Sequence, residues 1–144
     1  MADPHDLARF VEVQNRGGTY EAAVRELRAG RKTSHWMWFV FPQLRGLGHT
    51  VMAERYGIGS TDEAAAYLAH DVLGPRLRRC AQLVASSGAV TAEALMGHTD
   101  ALKLRSSMTL FAAVTDDDHD FVTVLDKYCA GTRDPETLRM LQSR

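Results

Sequence analysis

The sequence predicts a mainly α-helical fold, one compact domain over residues 1–144 built as a bundle of about seven to eight short helices. Three observations predict it. Apolar residues recur at intervals of three and four along nearly every segment. Residues that cap helix starts precede those stripes, and glycines follow them. The joints between stripes are short, with no repeat, low-complexity tract or linker, as in a closely packed bundle.

Taken in order, Leu7, Phe10, Val11 and Gln14 form the first stripe, with Asp6 as its expected N-cap and Gly17-Gly18 as its stop. Thr19 is placed to cap a helix over residues 20–29, whose face is Tyr20, Ala23, Val24 and Leu27, and Gly30 stands at its C′ position. Residues 35–41 fit either a buried helical turn or a short strand, and periodicity does not choose between them. Pro42 drives Phe41 out of the α region. Residues 49–56 read as a short helix. Thr61-Asp62-Glu63 marks the start of the next, over residues 61–69, with acids at the positive end of its dipole.

Asp71 is the expected cap of a helix reaching about residue 86, with Pro75 tolerated near its first turn. Thr91 caps residues 92–96. Thr99 or Asp100 caps a helix to about residue 114. Asp116-Asp117-Asp118 precedes a helix over residues 121–129 that Gly131 closes. Asp134-Pro135-Glu136, a cap followed by proline at N1, starts the last.

Composition narrows the function. A hydrophobic fraction of 45% and a charged fraction of 24% are those of an ordinary globular chain. A net charge of -1 provides no field for general nucleic-acid binding, although a local basic pocket stays open. Residues 1–6 are polar and hold no apolar signal core, and no apolar run reaches the roughly 18 residues of a membrane span. Cys80 and Cys129 have no metal-ligand spacing and read as reduced thiols of a cytoplasmic protein.

The densest chemistry lies at residues 34–48. Trp36, Trp38, Phe39 and Phe41 fall within six positions, both tryptophans among them, interleaved with His35 and followed by Gln43, Arg45, Gly46 and Gly48. Such a run is either core or a stacking platform that leaves one ring, Trp38, to line a cavity. His35, downstream of Arg31 and Lys32, is either a base in an aromatic pocket or a core-edge histidine bonded to backbone. Arg45-Gly46 with Lys32 could hold a phosphate through backbone N–H groups and charge, or simply make a turn. No nucleotide-binding glycine fingerprint is present, so no cofactor is expected.

A second segment runs from residue 100 to residue 111. On a helix Lys103, Ser106 and Ser107 share one side, and Leu104, Met108 and Phe111 another. The Lys103–Ser106 spacing is the reverse of a Ser-x-x-Lys nucleophile pair, which favours a polar helix face that packs against or hydrogen-bonds the aromatic segment over covalent catalysis. The acids at 116–118 with His119 and Asp120 lack the ligand spacing of a calcium loop, and His49, His70 and His98 show no zinc motif. No metal is expected.

Four stretches together resemble a known family. They are Ser34-His35-Trp36-Met37-Trp38-Phe39-Val40-Phe41-Pro42-Gln43, Glu54-Arg55-Tyr56-Gly57-Ile58, Ala66-Tyr67-Leu68-Ala69-His70-Asp71-Val72-Leu73-Gly74-Pro75-Arg76-Leu77 and Asp100-Ala101-Leu102-Lys103-Leu104-Arg105-Ser106-Ser107-Met108-Thr109-Leu110-Phe111. In this order they resemble domain-of-unknown-function family 1810, found in bacteria and fungi and sometimes labelled calpastatin. The resemblance implies a compact, mainly helical stand-alone domain and no established activity. Family members tend to carry proline where this chain has Asp71. The calpastatin label does not suit the chain, because calpastatins are disordered and repeat-bearing.

Two functional readings follow. In the first, a Trp/Lys/His-lined pocket binds, and in one version hydrolyses, a small anionic ring-bearing ligand such as a nucleotide or an ADP-ribose-like molecule. Lys32, His35, Trp38, Gln43, Arg45, Gly46, Lys103, Ser106 and Ser107 are its binding candidates. His35, Glu54 and Asp100 are its catalytic candidates, since glycosidic cleavage needs a carboxylate to stabilise charge or activate water. In the second, the protein is a non-enzymatic interaction or regulatory domain, and the aromatic run is an exposed hot spot. Geometry separates the two: a pocket gathers Lys32, His35, Gln43 and Lys103, whereas an interface shows a flat apolar patch.

Overall fold

A computed structural model describes residues 3–143; Met1 and Ala2, part of the polar start, and Arg144 lie outside the described residues. Ten α-helical segments follow one another: α1 (Ala8–Asn15), α2 (Thr19–Arg28), α3 (Met37–Val40), α4 (Val51–Arg55), α5 (Thr61–Ala69), α6 (Leu73–Ala85), α7 (Ala92–Met96), α8 (His98–Ala113), α9 (His119–Tyr128) and α10 (Pro135–Gln142). Seven have eight residues or more, and α3, α4 and α7 are single turns. The mainly α class holds. The only extended pairing among the described residues is one parallel bridge, Leu44 to Ile58.

The interior is one continuous apolar cluster. Its axis is α8, buried by Ala101, Leu104, Met108, Leu110 and Phe111 and packed against α5, α7, α9 and α10. On the other side of α9, α6 packs against α2, α5 and α9, and α1 closes the bundle against α2 and α3. The ambiguous segment 35–41 is the helical turn α3, and Phe41 leaves it at φ -123°, ψ 72°, outside the α region as Pro42 requires. Trp36, Met37, Phe39 and Phe41 are buried in the core. Each such large apolar side chain contributes about 1.5–3 kcal/mol by leaving water.

Several caps differ from the expected ones. The Asp3 carboxylate, not Asp6, accepts the first N–H groups of α1, from Leu7 (2.9 Å) and Ala8 (3.0 Å), because Asp6 sits at φ 50° in the turn between them. Thr19 is the first residue of α2, and its hydroxyl donates back to the Arg16 carbonyl. Ser60, rather than Thr61, caps α5. At α6 the imidazole Nδ1 of His70 accepts from Val72 (3.0 Å) and Leu73 (3.2 Å), and Asp71 makes no cap. Gly97 precedes α8, which frees Asp100 from capping. Thr91 and Asp134 cap as expected. Gly74 permits close packing of α5 and α6: a Cβ there would stand 2.1 Å from the Leu68 carbonyl oxygen.

Among the described residues no helix is long and apolar enough to cross a membrane, and no group of three or more His, Cys, Asp or Glu side chains could hold a metal ion. Cys80 and Cys129 are free thiols, and burial pushes Cys80 up to about 12.

Candidate functional site

The site begins where α2 ends. Gly30, at φ 75°, closes α2 with paired bonds from its own N–H to Leu27 and from the Arg31 N–H to Glu26, and so turns the chain into the 31–36 loop. Glu26, in the last turn of α2, holds that loop. Its buried carboxylate accepts from the Thr33 N–H (2.7 Å), the Ser34 N–H (2.8 Å), the Ser34 hydroxyl (2.6 Å) and the Trp36 indole N–H (3.0 Å). Burial alone would raise its pKa. The hydrogen bonds from Ser34, Thr33 and Trp36 outweigh that effect and hold the carboxyl at about 2.

The loop so fixed delivers Lys32 to α8. Its backbone N–H bonds the Leu95 carbonyl of α7 at 2.7 Å. Its ammonium lies 2.8 Å from one oxygen of Asp100 and 4.9 Å from the centre of the Trp36 ring. The other oxygen of Asp100 stands 3.6 Å from Lys103, whose ammonium lies 4.6 Å from the Trp38 ring. One carboxylate therefore bridges two lysines, each seated on a tryptophan. Two cations against one anion leave a local positive excess. Trp38 is half-buried, and its indole N–H is enclosed without a partner among the described residues.

Lys103 also lines a cleft of about 310 Å³ between α8, the 43–48 loop and the start of α10. Gln43, Leu47 and Gly48 form one side, Leu102, Lys103, Arg105 and Ser106 come from α8, and Asp134 and Glu136 come from the start of α10. The loop is pinned there by the Leu44–Ile58 bridge: the Ile58 N–H donates to the Gln43 carbonyl at 2.9 Å, and the Arg45 N–H to the Ile58 carbonyl at 2.8 Å. Gly48 allows the close turn, since a Cβ would stand 2.9 Å from that of Ala53. The Ser106 hydroxyl lies 3.2 Å from both the Leu102 carbonyl and the Asp134 carboxylate, two acceptors that hold its proton.

Of the sequence candidates, the structure brings Gln43, Lys103 and Ser106 into this cleft, with Lys32, Asp100 and Trp38 behind it through the lysine–aspartate chain. The others lie elsewhere. His35 is exposed on the loop and bonds no described residue. Gly46, at φ 107°, is an exposed turn residue. Arg45 binds the carbonyls of Glu54 (2.9 Å) and Gly57 (3.0 Å), and it lines with Glu54 a second cleft of about 430 Å³ beside Arg9 and Glu63. Ser107 is wholly buried in the core, its hydroxyl without a partner among the described residues.

Leu47, Leu102, Arg105, Asp134 and Glu136 were not singled out from sequence. Leu102 did carry a signal. It is an apolar residue four positions before Ser106, on the polar side of α8 and off the Leu104–Met108–Phe111 stripe. The meeting of Ser106 with Asp134 spans 28 positions and left no local trace.

Among curated proteins none matches the chain. Its structure is similar to the crystal structure, at 1.38 Å, of the conserved hypothetical protein Rv1873 from Mycobacterium tuberculosis. The two are 55% identical with a TM-score of 0.94, over 97% of this chain and 99% of that one. The family model described as "Protein of unknown function (DUF1810)" matches residues 4–141. With that span matched, and with the aromatic run, the α5–α6 joint and α8 all inside it, the chain belongs to the DUF1810 family.

Proposed function

We propose that the Lys103 cleft binds a small anionic, ring-bearing ligand such as a nucleotide or an ADP-ribose-like molecule. One observation carries this reading: Lys103 stands between the Trp38 ring and a cleft that also holds Gln43, Ser106 and Arg105. Lys103 and Arg105 offset phosphate charge, Gln43 reads an amide or hydroxyl edge, and Leu47 and Leu102 supply apolar faces for a ring. Asp134 and Glu136 offer acceptors to sugar hydroxyls. The volume suits a ligand of nucleotide size. The reading is one of binding, because Glu54 lines the other cleft, Asp100 is paired with Lys32 and Lys103, and His35 is exposed and not part of the cleft lining. The interaction-domain alternative, with the aromatic run as an exposed hot spot, is disfavoured because Trp36, Phe39 and Phe41 are in the core and Trp38 is half-buried.

A thermal-shift panel of nucleotides, ADP-ribose and sugar phosphates tests the proposal. A ligand of the native state stabilises by about 2.7 kcal/mol at a hundredfold excess over its Kd. The expected result is a shift for one ligand class that Lys103→Ala and Gln43→Ala abolish and Glu54→Gln retains. A flat panel, or a shift indifferent to Lys103→Ala, overturns it.

A further inference from the structure

The α2–α6 face carries a second site that shares no residue with the Lys103 cleft. Tyr20 and Val24 of α2, both half-buried, form the floor of a groove of about 420 Å³, and Arg25, Arg28 and Arg79 stand exposed on its rim. None of these three guanidinium groups makes a hydrogen bond or ion pair with a described residue, whereas Arg9, Arg45, Arg78 and Arg105 are each tied to carbonyls or carboxylates. Glu21 is the one acid in the lining. Arg76 adds a fourth cation, its guanidinium 4.5 Å from the centre of the Tyr20 ring. The protein as a whole has a net charge of -1, so the cluster is a local excess rather than part of a general field.

We propose that this groove docks an acidic peptide segment of a partner protein, an apolar side chain seated on Tyr20 and Val24 and flanking carboxylates paired with Arg25, Arg28 and Arg79. Charge complementarity and shape argue together. Arginine pairs carboxylates through two parallel N–H bonds and spreads its stem over apolar surface. From Tyr20 to Arg28 the groove follows α2 for about 12 Å, the length of two helical turns or of about four extended residues. An apolar floor of that length suits a peptide anchor better than an inorganic anion. A polynucleotide, held by many phosphate contacts, finds few cations in so short a track.

A displayed library of random 12-residue peptides, selected on the wild-type protein and counter-selected on Arg25→Glu/Arg79→Glu, tests this. Both positions are exposed and unpaired, and circular dichroism checks that the variant is folded. The expected outcome is enrichment of sequences with aspartate or glutamate around one aliphatic or aromatic residue. By fluorescence anisotropy such a peptide then binds the variant at least about tenfold more weakly, and loses affinity as salt rises. Selection that yields no peptide able to distinguish the two proteins, or that enriches basic sequences, overturns the proposal. So does a single-stranded RNA 12-mer that binds the wild type more tightly than every selected peptide and fails on the variant.

Discussion

Glu26 shows how much one buried carboxylate organises. Four donors converge on it, three on one oxygen and the Ser34 hydroxyl on the other, and glutamine keeps one acceptor oxygen while losing the charge and the second acceptor. Hydrogen bonds to a charged group contribute more than neutral ones, so Glu26→Gln is expected to cost about 2 kcal/mol at pH 7. The pH dependence has a definite sign. The folded-state carboxyl titrates at about 2, below its ordinary 4.5, so its contribution is complete above pH 4.5 and is lost as pH falls toward 2. Urea unfolding of both proteins between pH 7 and pH 2.5 checks this, since the gap between them must narrow only below pH 4.5. Ser107 is the opposite case, a buried hydroxyl with no partner among the described residues. Ser107→Ala removes that unmet group and is expected to leave stability unchanged or raise it by up to about 1 kcal/mol in thermal unfolding. At this scale the caps show what the sequence leaves open. Asp3 and Asp6, or His70 and Asp71, all carry side-chain atoms that can accept at a helix start, and the turn that aims one and not the other is set by tertiary packing.

At the scale of elements, α8 is the instructive one. Its sequence shows an apolar stripe and a polar side, yet Ser106, Ser107 and Thr109 are all buried. Short hydroxyls can enter a core when they bond the preceding turn. Thr109 donates to the Arg105 carbonyl at 2.8 Å and then accepts the Asp134 N–H at 2.9 Å, which ties α10 to α8. The aromatic run left two questions open in the sequence, core against exposed platform and helical turn against strand, the second because four residues are too few to show a period. The α5–α6 joint yields a sharp test. Gly74→Ala places a methyl against the Leu68 carbonyl and must push the helices apart, at an expected cost of about 1–3 kcal/mol. Gly88→Ala, where a Cβ meets nothing within 4 Å, is the matched control and is expected to gain about 0.4–1 kcal/mol by restricting the unfolded chain. Equal destabilisation of the two in chemical denaturation would refute close α5–α6 contact.

At the scale of the whole molecule, the stripes and glycines made the helical class readable, but the contacts that join distant segments were not. Lys32 meets Asp100, Ser106 meets Asp134, and Arg9 meets Glu63, and no local pattern couples such partners. Arg9 is the strongest of these links. All five of its N–H groups are used: on the carbonyls of His5 (2.6 Å), Asp6 (2.9 Å), Arg55 (2.9 Å) and Gly57 (3.1 Å), and on Glu63 at 2.7 Å. It thereby joins α1, the turn after α4, and α5, and through that turn it supports the Leu44–Ile58 bridge that pins Gln43 at the cleft. Arg9→Met leaves Glu63 buried without its cation, and breaking such a pair costs about 3–5 kcal/mol. Glu63→Leu leaves the arginine charge in the same position. The double variant removes both charges and is expected to be more stable than the sum of the two single losses predicts, by about 1–3 kcal/mol. Denaturation of the four proteins closes the cycle. Strict additivity would mean that Arg9 acts through its carbonyl bonds alone, and that the ion pair contributes nothing to holding the first and fifth helices together.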